Sequence, residues 1–453
     1  MNKKSYRVLT ALLLISILLL SACAGGGSDS SSGSEDDGGD KELTFMFRGG
    51  EAEEEAYSKV IDQFEEKNPG VTVKMIVTAA DQYATKLKAS ITGKQVPDVF
   101  YIDPGSVRSY VHSNVLLDLT EFVESNDDIN LDNIWQYGVD SYRFDGETQG
   151  QGSIYAMPKD VGPFSLGYNK TMLEEAGIDA IDKDVPLTWD EFIEINQAVT
   201  QDTDGDGTID NYGTGFNINW VLQSFVWSNG GDFLDETQTK VTVDTPEFAE
   251  ALQWFADHDL KYGITPSVED AQTLDTYQRW MQGQLAFFPV APWDLATFDT
   301  ELDFDYDVIP YPAGKTGESA TWIGSLGIAV GNDTEHPDLA TELVYYLTAS
   351  EEGQQALSDA RVQIPNLKDM AVEWAADETM APANKEEYLQ IVEDYGRALP
   401  ANNTYNAEWY DYFFTNVQPV LDGDMTAAEY VKDIQPKMQE FLDNAIQLEE
   451  QSK

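Results

Sequence analysis

Glu42-Leu-Thr-Phe-Met-Phe47 is an apolar run ended by Arg48-Gly-Gly50, and the stretch after it decides the fold. Ala52 to Lys67 places Ala56, Val60, Ile61 and Phe64 at helical spacing on one face. Asn68-Pro69-Gly70 stops that helix. Val71 to Val77 predicts a second strand and Tyr83 to Thr92 a second helix. Val99-Phe-Tyr-Ile102, after Pro97-Asp98, predicts a third strand. A β-α-β-α-β order implies an open sheet covered by helices. Such sheets bind ligands beyond the carboxyl ends of their strands. The loops at 48–51 and 103–106 lie there.

Downstream the pattern continues less regularly. Leu166-Gly-Tyr168 reads as a strand end, and Lys170 to Ala176 as a short helix closed by Gly177. Thr188-Trp-Asp-Glu191 is a capping box that opens a helix to Val199. Leu285 to Pro289 reads as another strand. The last hundred residues read as mostly helical, with breaks at Pro365, Pro400 and Pro436.

Upstream, Lys3, Lys4 and Arg7 precede an apolar run from Leu9 to Leu20. The run is too short to span a bilayer comfortably and reads as the core of a signal peptide, residues 1–22. Leu20-Ser21-Ala22-Cys23 resembles the bacterial lipobox, which implies acylation of the Cys23 thiol and cleavage before it. Residues 24–40 are almost wholly Gly, Ser and acidic residues and cannot build a core, so 23–40 is expected to be a lipid-anchored flexible tether.

The 453 residues suggest two or three domains, and 42% hydrophobic content marks the bulk as globular. The formal charge is −54, or −57 once the basic leader is removed. Such a surface is repelled by nucleic acid and by anionic lipid headgroups. It also repels itself unless salt screens it, which points to a saline or alkaline habitat and to a melting point that rises with salt. Cys23 is the single cysteine, which leaves no intrachain disulfide and no cysteine-based zinc site. His112, His258 and His336 are too scattered to suggest a metal site.

Several motifs in order resemble one family. Phe64-Glu-Glu-Lys-Asn-Pro-Gly-Val71, Pro97-Asp-Val-Phe-Tyr-Ile-Asp103, Tyr155-Ala-Met-Pro-Lys-Asp160 with Gly167-Tyr-Asn-Lys170, and Pro186-Leu-Thr-Trp-Asp-Glu-Phe192 are similar to segments of family 1 extracellular solute-binding proteins. Gly283-Gln-Leu-Ala-Phe-Phe with Trp293, and Trp322-Ile-Gly324, extend the likeness. These are the maltose-binding-protein-like receptors of ATP-binding-cassette (ABC) importers. The resemblance implies an α/β, periplasmic-binding-protein-like fold of type II, with two lobes joined by three hinge crossings. It assigns 41–158 and 325–360 to an N-terminal lobe, and 159–324 and 361–453 to a C-terminal lobe. It implies a monomeric receptor on the extracytoplasmic face of the cell membrane, which holds a sugar or oligosaccharide between its lobes and delivers it to an ABC permease.

A sugar offers C–H faces to aromatic rings and hydroxyls to carboxylates, amides and guanidinium groups. Trp293, Trp409 and Trp220 match family positions where an aromatic side chain meets ligand, and Trp322 lies near the second crossing. Among polar residues, Asp103, Glu51 and Arg48 lie on the strand-end loops and Asp160 lies in the first crossing. Gly162 stands where the maltose-binding protein has a glutamate, which puts maltodextrin in doubt as the ligand. Asp202, Asp204, Asp206 and Asp210 occupy positions 1, 3, 5 and 9 of a calcium-loop pattern, with Gly213 at position 12 in place of the bidentate glutamate. That suggests a structural calcium ion, with a solvated Asp-Gly turn as the alternative. Two rival functions remain open from sequence: the same receptor class for a polyamine, and a lipid-anchored glycoside hydrolase with paired carboxylates. No catalytic triad, nucleophile elbow or phosphate loop is visible.

Overall fold

A computed structural model describes residues 41–178, 181–183 and 185–453. The expected signal peptide, Cys23 and the tether lie outside the described residues. The opening follows the predicted order: β1 (Lys41–Arg48), α1 (Glu51–Lys67), β2 (Val71–Thr78), α2 (Ala80–Thr92) and β3 (Val99–Ile102). α1 buries Ala56, Tyr57, Val60, Ile61 and Phe64, the face its apolar spacing marks. Gly70 turns the chain into β2 at φ 89°, a backbone region that favours glycine. α2 begins three residues before the predicted start, at Ala80.

The chain then forms a small hairpin, β4 (Arg143–Phe144) with β5 (Ser153–Ile154), followed by β6 (Ala156–Pro158), β7 (Gly162–Pro163) and β8 (Ser165–Asn169). Later come β9 (Tyr212–Thr214), β10 (Leu285–Val290), β11 (Tyr306–Ile309), β12 (Thr321–Gly324), β13 (Gly327–Val330) and β14 (Gly396–Arg397). One sheet has the order β2-β1-β3-β13-β6 and a second the order β11-β8-β10-β9. β14-β12-β7 form a third, short sheet, in which β7 and β12 belong to segments that leave one large sheet for the other. β1 pairs in parallel with both β2 and β3, while β13 pairs antiparallel with β3 and β6.

The core follows the sheets. Leu43, Phe45, Phe47, Tyr57, Tyr101 and Ile328 belong to one buried cluster around the first sheet. Phe192, Phe225, Phe287 and Trp254 belong to a second, and Trp280, Phe288, Phe298 and Tyr306 to a third. Val362 and Leu367 pack into the first core, beyond residue 360, and Trp135 packs into the third.

The capping box is present: Thr188 accepts the Glu191 amide, and Glu191 reaches back to the Thr188 amide. Trp189 and Trp254 stack at 4.4 Å within the second core. The expected break at Pro436 does not occur, and one helix runs from Ala427 to Ser452. Pro436 is exposed, so the Lys432 carbonyl that loses its helical donor lies near water. Ile434, Met438 and Leu442 meanwhile hold the opposite face in the core. No described helix is long and apolar enough to cross a membrane.

Candidate functional site

The candidate site is built where the short sheet presents its crossing strands. Gly162 of β7 and Gly324 of β12 are direct cross-strand partners. A Cβ on Gly324 would meet the Trp293 ring at 3.2 Å, and one on Gly162 would meet it at 3.7 Å and Pro292 at 3.1 Å. The indole of Trp293 therefore rests on bare backbone, and the glycines are what admit it. Trp293 sits in the turn Pro292–Asp294 that directly follows β10 and its Ala291, so a buried strand carries it out to the surface.

Phe164, between β7 and β8, is the hub of an aromatic platform. Its ring centroid lies 5.1 Å from that of Trp293, edge to face, 4.8 Å from Trp322, and 5.9 Å from Trp220, stacked. Trp220 is on the first turn of the helix Ile218–Ser228, which Asn217 caps. Trp322 Nε1 donates to the Trp220 carbonyl at 2.7 Å and holds the two against each other. Phe164 is buried, whereas Trp220 and Trp293 are 41% and 43% exposed. Exposed indoles over a buried aromatic base make a surface suited to the apolar face of a ligand.

Two residues before Gly162 stands a charged cluster. Lys159 is buried, and its Nζ lies 3.0 Å from Glu53 Oε1 and 2.9 Å from Asp160 Oδ2. Tyr101 donates its hydroxyl hydrogen to Glu53 at 2.7 Å. Burial disfavours the ammonium, but Asp160 and Glu53 outweigh it and raise the Lys159 pKa. Asp160 Oδ1 accepts the Leu326 amide at 3.0 Å, and its carbonyl accepts from Ser325. Asp160, expected as a ligand contact, is thus a brace between the first and second crossings.

Arg48 and Asp103 stand at the carboxyl ends of the neighbouring strands β1 and β3. That adjacency brings them together, with Nη2 to Oδ1 at 2.9 Å and Nη1 to Oδ2 at 3.3 Å. The guanidinium also lies 5.9 Å from the Tyr83 ring centroid. These two expected contacts are engaged with one another, although the Asp103 side chain remains 45% exposed. Glu51 is exposed at the first position of α1.

Trp409 corrects the expectation. It is fully buried, in the second core, and donates Nε1 to Thr404 Oγ1 at 3.1 Å. Its helix, Glu408–Asn416, turns that residue inward against Tyr410 and the core. Phe164, Glu53 and Lys159 had no sequence signal as site residues beyond the place of Phe164 and Lys159 near Gly162 and of Glu53 in the first turn of α1. Asp294, next to Trp293, has its carboxyl pushed up to about 7 by burial, with only the Ala291 backbone hydrogen bond opposing.

In the aspartate loop, the carboxylates of Asp202, Asp204 and Asp210 come within 4.8 Å of one another. Asp206 does not join that group. The loop also serves its own carboxylates: Asp202 accepts the Gly205 and Gly207 amides, and Asp210 accepts from Thr203.

Paired α/β sheets bridged by crossing strands, with indoles exposed at the bridge, define a solute-binding class of protein. Residues 49–354 match the family described as bacterial extracellular solute-binding protein, and the chain belongs to that family. It is a family of binding proteins. An arabinooligosaccharide-binding protein of Halalkalibacterium halodurans is 26% identical over 315 residues, 66% of each chain. The chain thus spans just under two thirds of that relative. A Bacillus subtilis protein of the same name is 24% identical over 332 residues, 70% of this chain and 71% of that one. An ABC substrate-binding protein of Listeria monocytogenes in complex with cycloalternan superposes with TM-score 0.78 at 22% identity, over 89% of this chain and 99% of that one. Maltose-bound MalE3 of T. maritima gives 0.72 at 24% identity, over 88% and 100%. At these identities the likeness establishes the fold, the two-lobed α/β architecture expected from sequence.

Proposed function

We propose that this chain captures a sugar or oligosaccharide on the Trp220–Trp293–Trp322 platform and passes it unaltered to the permease of an ABC importer. The observation that carries this reading is the exposure of Trp220 and Trp293 around a buried Phe164, beside a charged cluster. Relatives named for arabinooligosaccharide, and similar folds holding cycloalternan and maltose, support it. A thermal-shift screen over mono- and oligosaccharides tests it. A bound sugar should raise the melting temperature by linkage and be recovered intact. Cleaved sugar would make the protein an enzyme, and no shift with any sugar would remove the reading.

The same assay tests calcium. The expected ion would lie among Asp202, Asp204 and Asp210, with Asp206 at most an outer partner. Added calcium should raise the melting temperature; an unmoved value assigns the loop to its own hydrogen bonds. Membrane attachment is proposed to run through the acylated Cys23, with the receptor acting as a monomer. Cys23→Ala should then move the protein from the membrane fraction to the medium.

A further inference from the structure

The helix that carries Trp220 carries Trp227 seven residues later, on the same face and about 10 Å along the axis. A second link leads to the same place. Trp322 of β12 is in parallel register with Arg397 of β14, so their side chains share one face of the short sheet. The Arg397 guanidinium lies 5.6 Å from the Trp227 ring centroid. Trp227 is itself buried and donates Nε1 to Asp232 Oδ1 at 3.1 Å, which fixes the ring beneath the arginine. Trp227, Asp232 and Arg397, with Glu236, Gln238 and Asn403, line a groove of about 490 Å³. That is within the roughly 300–1,000 Å³ of small-molecule sites.

Arg397 is unusual in this chain. Arg48, Arg108 and Arg361 each pair with a carboxylate. Arg397 has no ion pair and no side-chain hydrogen bond among the described residues, although acids outnumber bases by 81 to 27. A guanidinium held over an indole keeps its N–H donors for a ligand in the groove. The exposed Glu236 and Gln238 add acceptors at its rim. Donors beside acceptors, without a strong local positive charge, match neutral hydroxyls better than a carboxylate or phosphate.

We propose that this groove is a second carbohydrate subsite, linked to the tryptophan platform by the helix Ile218–Ser228 and by the β12–β14 register, and that the ligand is an oligosaccharide longer than a disaccharide. This rests on the sugar reading above and goes beyond it by assigning chain length to Arg397 and its groove. The test is calorimetric titration of the full chain with two pairs of sugars: maltose against maltotetraose, and arabinobiose against arabinotetraose. For the pair that binds, the tetrasaccharide should bind at least tenfold more tightly than the disaccharide. Arg397→Ala should bring that ratio toward one. Glu236→Ala, at an exposed turn where folding is not at stake, should narrow it independently. Equal affinity for both lengths in the native protein overturns the subsite while leaving the sugar reading standing. So does a ratio that neither variant changes. Failure of all four sugars to bind overturns the subsite, while the sugar reading falls only if the wider thermal-shift screen is also blank.

Discussion

Trp293→Ala should lower affinity for a bound oligosaccharide about thirty- to hundredfold while leaving the fold nearly as stable as before. Truncating a central aromatic anchor typically costs about 2–3 kcal/mol of binding free energy, and each 1.4 kcal/mol is about tenfold in affinity. The expected loss is at the upper end because no neighbour replaces the ring. Trp293 lies on Gly162 and Gly324, which offer no side chain to fill its place. Its 43% exposure limits the packing lost from the folded state. Trp409→Ala is the contrasting variant. That ring is wholly buried, so its removal should cost about 3–5 kcal/mol of stability, seen in urea unfolding. Paired titration and unfolding curves separate the two roles. An affinity left intact by Trp293→Ala would remove the platform from the mechanism.

The second large effect falls on the buried charge cluster around Lys159. Lys159→Met should destabilise the protein by about 3–5 kcal/mol, the usual result of breaking a buried ion pair from one side. It would leave Glu53 with the Tyr101 hydroxyl as its hydrogen-bond donor, and Asp160 with the Leu326 amide. Adding Glu53→Gln to Lys159→Met should recover part of the loss, because one of the two stranded carboxylates is then neutral while Asp160 stays charged. Urea midpoints of the three proteins measure this, and equal destabilisation in single and double variants would show that the charge is not the cause. The pH dependence has a defined sign. A lysine whose folded pKa is raised contributes fully below its unfolded value and loses that contribution only as pH rises through the folded one. The cluster should therefore hold across neutral and moderately alkaline pH.

Local order was legible wherever neighbouring residues carry it. The apolar spacing of α1, the stop at Asn68-Pro69-Gly70 and the Thr188–Glu191 box each depend on a few adjacent residues, and each appears in the fold. Pro436 misled because the penalty for an internal proline depends on which side of the helix faces water. Sequence periodicity alone leaves that side open. Asp103 and Asp160 carry the chemistry expected of ligand contacts. Their partners, Arg48 and Leu326, are 55 and 166 positions away in the chain.

By itself, then, the order of residues determined the alternation of strands and helices, the charge, and the motifs that mark a solute-binding family. Those properties arise from spacing and from composition. Only the tertiary structure decided that Trp293 and Trp220 face solvent while Trp409 lies in the core, and that Phe164 joins the three exposed or half-buried indoles. An indole's exposure depends on what packs against it, and here those neighbours come from β7, β10 and β12, which folding alone brings together.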